Sequence, residues 1–405
     1  MQANHITSLK SASSIVPNFF MPDYGSRLTS AMYIRGIGSR INTPAVGMYV
    51  DNIPYLDKSA FDFNFYDIER IDILRGPQGT LYGRNTMGGL VKVHTRSPFS
   101  YQGTDVKLSY GSGNNHRSAS LTHYHRISNR FAFSAGGYYE GADGFFNNSF
   151  LDKKVDDMQA GGGRIRAILL TANDWKFDFN VNYDYTDEGG YPYYYTGDVG
   201  PSLGPDLNLI DKIAYNREST YRRSLLNTGL NIEHQAENFI FHGVTGFQHL
   251  NDRMFMDQDF SPSDTYTLEQ KQRINSFTEE ITFKSKPGRT WQWTTGLFGF
   301  YQNMHVNSPV TFRKDGIGML NGMLGSVMPS KIEVPMGGPM AMNILPSLKI
   351  TSEGMPIDGA FKTPQYNIAL YHQSQFRDLL GIEGLSFTMG LRMDYEHMKM
   401  DYNSG

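Results

Sequence analysis

His123 and His125 stand two residues apart with His116 upstream, a spacing that sets two imidazoles on one strand face, where a metal ion could bridge them. No cysteine occurs in the chain and no carboxylate stands at ligand spacing beside these histidines, so they read as polar residues along a strand and no metal is expected. Asp257 and Asp259 offer the hard oxygen atoms calcium prefers, without an EF-hand loop around them. Met304, Met319, Met323, Met328, Met336, Met340, Met342 and Met355 crowd one segment; thioethers bind soft metals, but adaptable packing is their commoner use. Tyr191, Tyr193, Tyr194 and Tyr195 combine flat apolar area with hydroxyls, suited to aromatic or hydroxamate-rich chelates, sugars and corrinoids, or to a membrane interface. There is no Gly-x-Ser-x-Gly elbow, His-Glu-x-x-His pair or P-loop, so neither an enzyme nor a cofactor is expected. A net charge of −3 gives no electrostatic case for nucleic acid.

The most patterned stretch runs from Ile34 to Pro98. It holds Ile34-Arg35-Gly36, Tyr49-Val50-Asp51-Asn52, then Asp67-Ile68-Glu69-Arg70-Ile71-Asp72-Ile73-Leu74-Arg75-Gly76-Pro77, and closes on Gly88-Gly89-Leu90-Val91-Lys92-Val93. Ile68, Ile71, Ile73 and Leu74 interleave with charges as in a half-buried strand, and Gly76-Pro77 stops it because proline donates no backbone hydrogen bond. Asn52 follows Asp51 at a tight turn and tolerates left-handed geometry. In order and spacing these blocks resemble the plug domain of TonB-dependent outer-membrane receptors.

Beyond residue 103 the sequence settles into period-2 segments. In Lys176-Phe177-Asp178-Phe179-Asn180-Val181-Asn182-Tyr183-Asp184-Tyr185 one face is apolar or aromatic and the other polar. About eleven such strands are expected, near 103–112, 116–127, 130–141, 158–170, 175–186, 221–233, 239–250, 270–284, 290–302, 362–375 and 385–397. Tight turns alternate with long loops at 142–157, 187–220, 251–269 and 303–361, as between the periplasmic and outer ends of a membrane barrel. Mean hydropathy of −0.44 is no obstacle, since only alternate residues of such a barrel face lipid. The expected fold is an all-β membrane protein: a partial plug domain of α+β type over 1–98, then an antiparallel transmembrane β-barrel over 99–405.

The resemblance implies more. Receptors of this kind have about 22 strands, of which half are recognised here. Met1 to His5 lack a basic region before an apolar one, so the chain reads as an internal fragment without signal peptide or TonB box. The family latch implies that Arg35 and Arg75 pair with a barrel glutamate, and Glu280 is in phase to face inward. Plug apices in the family pattern correspond to Ser39–Thr43, Tyr55–Lys58 and Phe65–Tyr66, so Asn42, Tyr55, Asp57 and Tyr66, with Tyr193 and Tyr194, are the expected ligand contacts. The implied function is active uptake of a scarce nutrient across the bacterial outer membrane, powered by the TonB-ExbB-ExbD complex, with a ferric siderophore or other iron complex first and cobalamin or an oligosaccharide as alternatives. A passive porin would lack the plug blocks. A secreted glycan-binding β protein would bury its apolar strand faces.

Overall fold

The computed structural model describes residues 8–40, 43–197, 209–327, 331–335, 339–343 and 349–403. Near the N-terminus a four-stranded sheet is built from β1 (Val46–Val50), β2 (Ile53–Tyr55), β3 (Ile68–Arg75) and β4 (Gly89–Thr95), in the order β2-β1-β4-β3 with β1 and β4 parallel. The β1–β2 hairpin turns through Asp51 and Asn52 at φ of 47° and 70°. That pair of left-handed residues is what a two-residue hairpin needs. A three-stranded ribbon of Phe19–Phe20, Tyr33–Ile34 and Ile37–Gly38 completes the plug with short helical turns.

Among the described residues eleven long strands follow, each antiparallel to the next, in a sheet that three short strands (Val310–Phe312, Met355–Ile357 and Asp401–Asn403) extend at its margin: β5 (Gly103–Gly111), β6 (His116–Arg126), β7 (Phe131–Ala142), β8 (Met158–Leu170), β9 (Trp175–Gly189), β10 (Thr220–Gln235), β11 (Phe239–Asp257), β12 (Tyr266–Ser285), β13 (Trp291–Asn307), β14 (Ala360–Phe376) and β15 (Phe387–Met398). Among the described residues no helix is long and apolar enough to cross a membrane. The strands show how the crossing is made. In β9, Asp178, Asn180, Asn182, Asp184 and Thr186 are buried, while Phe179, Tyr183 and Tyr185 stand 43–46% exposed. A sheet with polar residues inside and aromatic residues outside is the inverse of a soluble core, and lipid is the solvent that stabilises it.

The plug fills the concave face of this sheet. Leu225, Leu250 and Ile274, direct cross-strand partners on β10, β11 and β12, join the plug's own core of Met48, Phe61 and Phe63. The outer ends of β11 and β12 run farther than the apolar stripe alone predicts, reaching Asp257 and beginning at Tyr266, so the loop between them shortens to 258–265. Within the 308–359 connection lies a helix, Lys314–Val327, which the strand reading does not anticipate.

Candidate functional site

The inward polar phase of the barrel strands brings charged side chains against the plug. On β8, Arg164 and Arg166 both point inward because they lie two residues apart. Arg164 donates to the Asp67 carboxylate at 2.5 Å, with both side chains almost wholly buried. Arg166 makes a two-pronged bond to Asp178 at 2.9 and 2.8 Å and donates to the Thr95 carbonyl at 3.0 Å. Thr95 in turn donates its backbone N–H (2.9 Å) and its hydroxyl (2.7 Å) to buried Asp51, so one network spans the plug's hairpin turn, its last strand and the wall. Arg223 on β10, only 1% exposed, donates to the carbonyls of Ser59 and Asp62 at 2.6 Å each. Plug Arg27 reaches the other way, to Glu188 at the end of β9, through its backbone N–H (2.9 Å) and its guanidinium (3.3 Å).

The plug and the wall are therefore joined in both directions: barrel Arg164, Arg166 and Arg223 reach plug acceptors, while plug Arg27 and Arg84 pair with barrel Glu188 and Glu396, the latter at 3.0 Å, so arginine–glutamate pairs of the latch type form at positions other than those expected. Arg35 sits exposed in a turn at φ of 52°, its backbone N–H on the Asn18 carbonyl, and Arg75 is exposed at the end of β3. Neither makes an ion pair among the described residues, and the structure brings neither to Glu280. Glu280 does face inward, accepting the Tyr371 hydroxyl at 2.5 Å beside a cavity of 280 Å³ that Lys92 and Lys284 also line.

Of the expected ligand contacts, Asn42 lies outside the described residues. Tyr55 is buried in the plug core against Phe63, 5.9 Å between ring centres, and burial pushes its phenol pKa up. Asp57 caps the turn Lys58–Ala60 by accepting the Ser59 N–H at 2.9 Å. Tyr66 packs at a tilt against Tyr138, 5.1 Å between ring centres, and its buried hydroxyl has no hydrogen-bond partner among the described residues; burial raises its pKa as well. Tyr194 is exposed among the outer loops, beside Phe145, Phe146 and Lys212.

Tyr193 takes part in a tighter arrangement at the outer apex of the plug. Its hydroxyl donates to the Tyr24 carbonyl at 2.6 Å, and its ring packs on Phe260 at 5.1 Å. Tyr191 bonds the Ser26 hydroxyl at 2.5 Å. Arg40, exposed to the loop side, lies 4.3 Å above the Tyr24 ring, and the Lys58 ammonium donates to the Arg40 carbonyl. Burial and the Arg40 charge hold the Lys58 pKa below the ordinary lysine value, against the opposing pull of Asp57. Arg40, Lys58, Tyr24 and Tyr193 thus gather into a cationic and aromatic cluster at the plug apex. Guanidinium, ammonium and flat phenol rings together can engage a planar anionic molecule. Arg40 and Tyr193 fall within stretches the sequence singles out; Tyr24 has no signal of its own, because only the folded ribbon brings it under Arg40.

The first 90 residues match the family model described as the TonB-dependent receptor plug domain. The pesticin receptor of Yersinia pestis is 33% identical over 97 residues, which is 24% of this chain and 14% of that protein. Vitamin B12 transporter BtuB of Vibrio vulnificus is 26% identical over 232 residues, 55% of this chain and 35% of the transporter. In three dimensions the chain resembles the ferric yersiniabactin uptake receptor FyuA from Yersinia pestis with a TM-score of 0.73 and 16% identity, over 99% of this chain and 60% of that one. It resembles FpvA of Pseudomonas aeruginosa, solved with pyoverdine and iron, with a TM-score of 0.68 and 13% identity, covering all of this chain and 52% of FpvA. The chain therefore spans at most about three-fifths of the length of these relatives.

Proposed function

Since the chain is a TonB-dependent receptor plug domain joined to part of its barrel, a protein of the bacterial outer membrane and not an enzyme, we propose that it serves the energised uptake of a ferric siderophore or similar iron complex. The observation that carries this reading is the cationic and aromatic cluster of Arg40, Lys58, Tyr24 and Tyr193 on the plug, which packs against the inward face of the strands. Catecholate, phenolate and carboxylate chelates of iron are planar in parts and often anionic, which matches that surface. Relatives named as receptors for a catecholate siderophore and for ferric yersiniabactin support the same cargo, and one named as a vitamin B12 transporter keeps cobalamin as the second reading.

In this mechanism the plug closes the path and the buried arginine contacts set how firmly it is held. Energy enters from the TonB-ExbB-ExbD complex, which pulls on the plug after the ligand has docked at the apex. Arg35 and Arg75, exposed and without ion pairs among the described residues, stay proposed latch groups alongside Glu280, and charge reversal tests them: unchanged plug retention would dismiss the role.

For the apex, the expected result is that Arg40→Glu weakens binding of an anionic ferric chelate by about tenfold or more, as loss of a stacked cation and gain of a repelling charge requires. Arg40→Lys keeps the charge but loses the flat fork, so its loss is smaller. Tyr193→Ala falls between them. Titration of the purified receptor by calorimetry, with ferric catecholate and cobalamin in parallel, reads both effects. Wild-type affinity in all three variants, or binding of cobalamin alone, would overturn the assignment.

A further inference from the structure

The outward face of β11 to β14 carries a pattern that neither the plug nor the cargo explains. Phe247, Phe277, Tyr301 and Tyr366 are successive cross-strand partners and each is 38–49% exposed, forming one aromatic row across four strands. On their short-turn side the same wall presents Leu297, Ile368 and Leu370, 47–57% exposed, as lipid-facing surface. Two outward positions nearer the long loops, the same four strands present Asn251, Arg273, His305 and Lys362 directly opposite one another. One step farther, Arg253 stands opposite Lys271.

Like charges set opposite each other across strands repel, so such rows are avoided unless something else compensates. Glu269 does this for the outer pair, accepting from Arg253 at 2.6 Å and lying 3.2 Å from Lys271. Arg273 and Lys362 have no such partner: neither makes an ion pair or a side-chain hydrogen bond among the described residues. Asp401, opposite Lys362 in register, is paired with Lys399 at 2.7 Å. Lys271, Arg273, His305, Lys362 and Asp401 share the lining of one groove of 520 Å³.

Height decides what the groove faces. Four residues of strand rise by about 13 Å, and a strand tilted by about 40° lifts that row about 10 Å above the aromatic girdle, where acyl chains give way to headgroups. We propose that Arg273 and Lys362, with Lys271 and His305, form a binding site for a phosphorylated headgroup of an outer-leaflet lipid whose acyl chains lie along the apolar wall below. A guanidinium matches phosphate oxygens with two parallel donors and the lysines add point charges, so the unpaired cations of the sheet and the anionic lipid complete each other.

The test uses the detergent-purified receptor carrying this chain, titrated with diphosphoryl lipid A, its fully dephosphorylated counterpart and inorganic phosphate, and reads bound lipid by native mass spectrometry. Wild type should retain the diphosphorylated lipid, and Arg273→Glu with Lys362→Glu should weaken retention by about tenfold or more, two charge-assisted contacts being lost. Arg273→Gln with Lys362→Gln, which removes the two unpaired charges without adding repulsion, should give a smaller loss in the same direction. Equal retention of the dephosphorylated lipid, unchanged retention in both variant pairs, or full displacement by low-millimolar inorganic phosphate would each overturn the proposal, the last by showing a free-anion site instead of a lipid site.

Discussion

Arg164→Met will loosen the plug in the lumen more than any substitution on the barrel's outward face. The change leaves the Asp67 carboxylate buried, 6% exposed by side chain, without its 2.5 Å partner. Breaking a buried pair from one side costs about 3–5 kcal/mol because the remaining charge is uncompensated. The penalty falls on plug seating, since Arg164 belongs to the wall and Asp67 to the plug. Urea-dependent proteolysis of the plug should begin at distinctly lower denaturant, and cells carrying the variant should admit large antibiotics. Arg164→Met combined with Asp67→Asn should recover most of the loss, because the charge is removed along with its partner. If the single variant seats its plug as wild type does, the ion pair is not what anchors the plug.

The second large effect is steric. Gly229 on β10 and Gly246 on β11 face each other across the sheet and point inward, leaving a notch in the wall. Ile53, at the start of the plug strand β2, fills it: a Cβ on Gly229 would lie 1.7 Å from the Ile53 Cδ1, and one on Gly246 would lie 2.8 Å from its Cγ2. Ile53 is 5% exposed and has little room to turn aside. Gly229→Val should therefore cost about 1–3 kcal/mol of plug seating, the range for overpacking a filled core. Ile53→Ala in the Gly229→Val background should restore it. Rescue by the smaller residue separates a knob-and-notch contact from damage to the barrel strand itself, which Ile53→Ala would leave in place.

These two contacts also show where sequence reasoning reaches and where it stops. The alternation in Lys176 to Tyr185 is enough to set Asp178, Asn180, Asn182 and Asp184 inward, because strand geometry admits no other phase once one face must meet lipid. The same logic makes Arg164 and Arg166 inward-facing. Which plug atoms they meet is not written in either segment: Asp67 and Arg164 are joined only by the way the plug docks, so the family pattern alone pointed to Arg35 and Arg75. Glycine in a strand signals close approach of another backbone or side chain, yet nothing near Gly229 names Ile53 as the visitor. Strand ends were legible only as far as the apolar stripe. Past Phe247, β11 continues through Asn251, Arg253 and Asp257 because backbone pairing persists above the membrane, where the outward side chains can be polar. The helix Lys314–Val327 is hidden in the sequence because its glycines at 316, 318, 322 and 325 dilute the helical period.

The central claim, energised uptake of an iron complex through a plugged barrel, is tested most directly by labelled uptake in a strain deleted for the receptor that carries this chain and complemented with it. A ferric siderophore, haem and cobalamin are supplied in parallel, with and without an uncoupler. The account predicts that one iron complex accumulates only in the complemented strain and that the uncoupler abolishes the accumulation. Uptake of every iron complex at the same rate in deleted and complemented cells, or iron accumulation that persists with the uncoupler present, would contradict it.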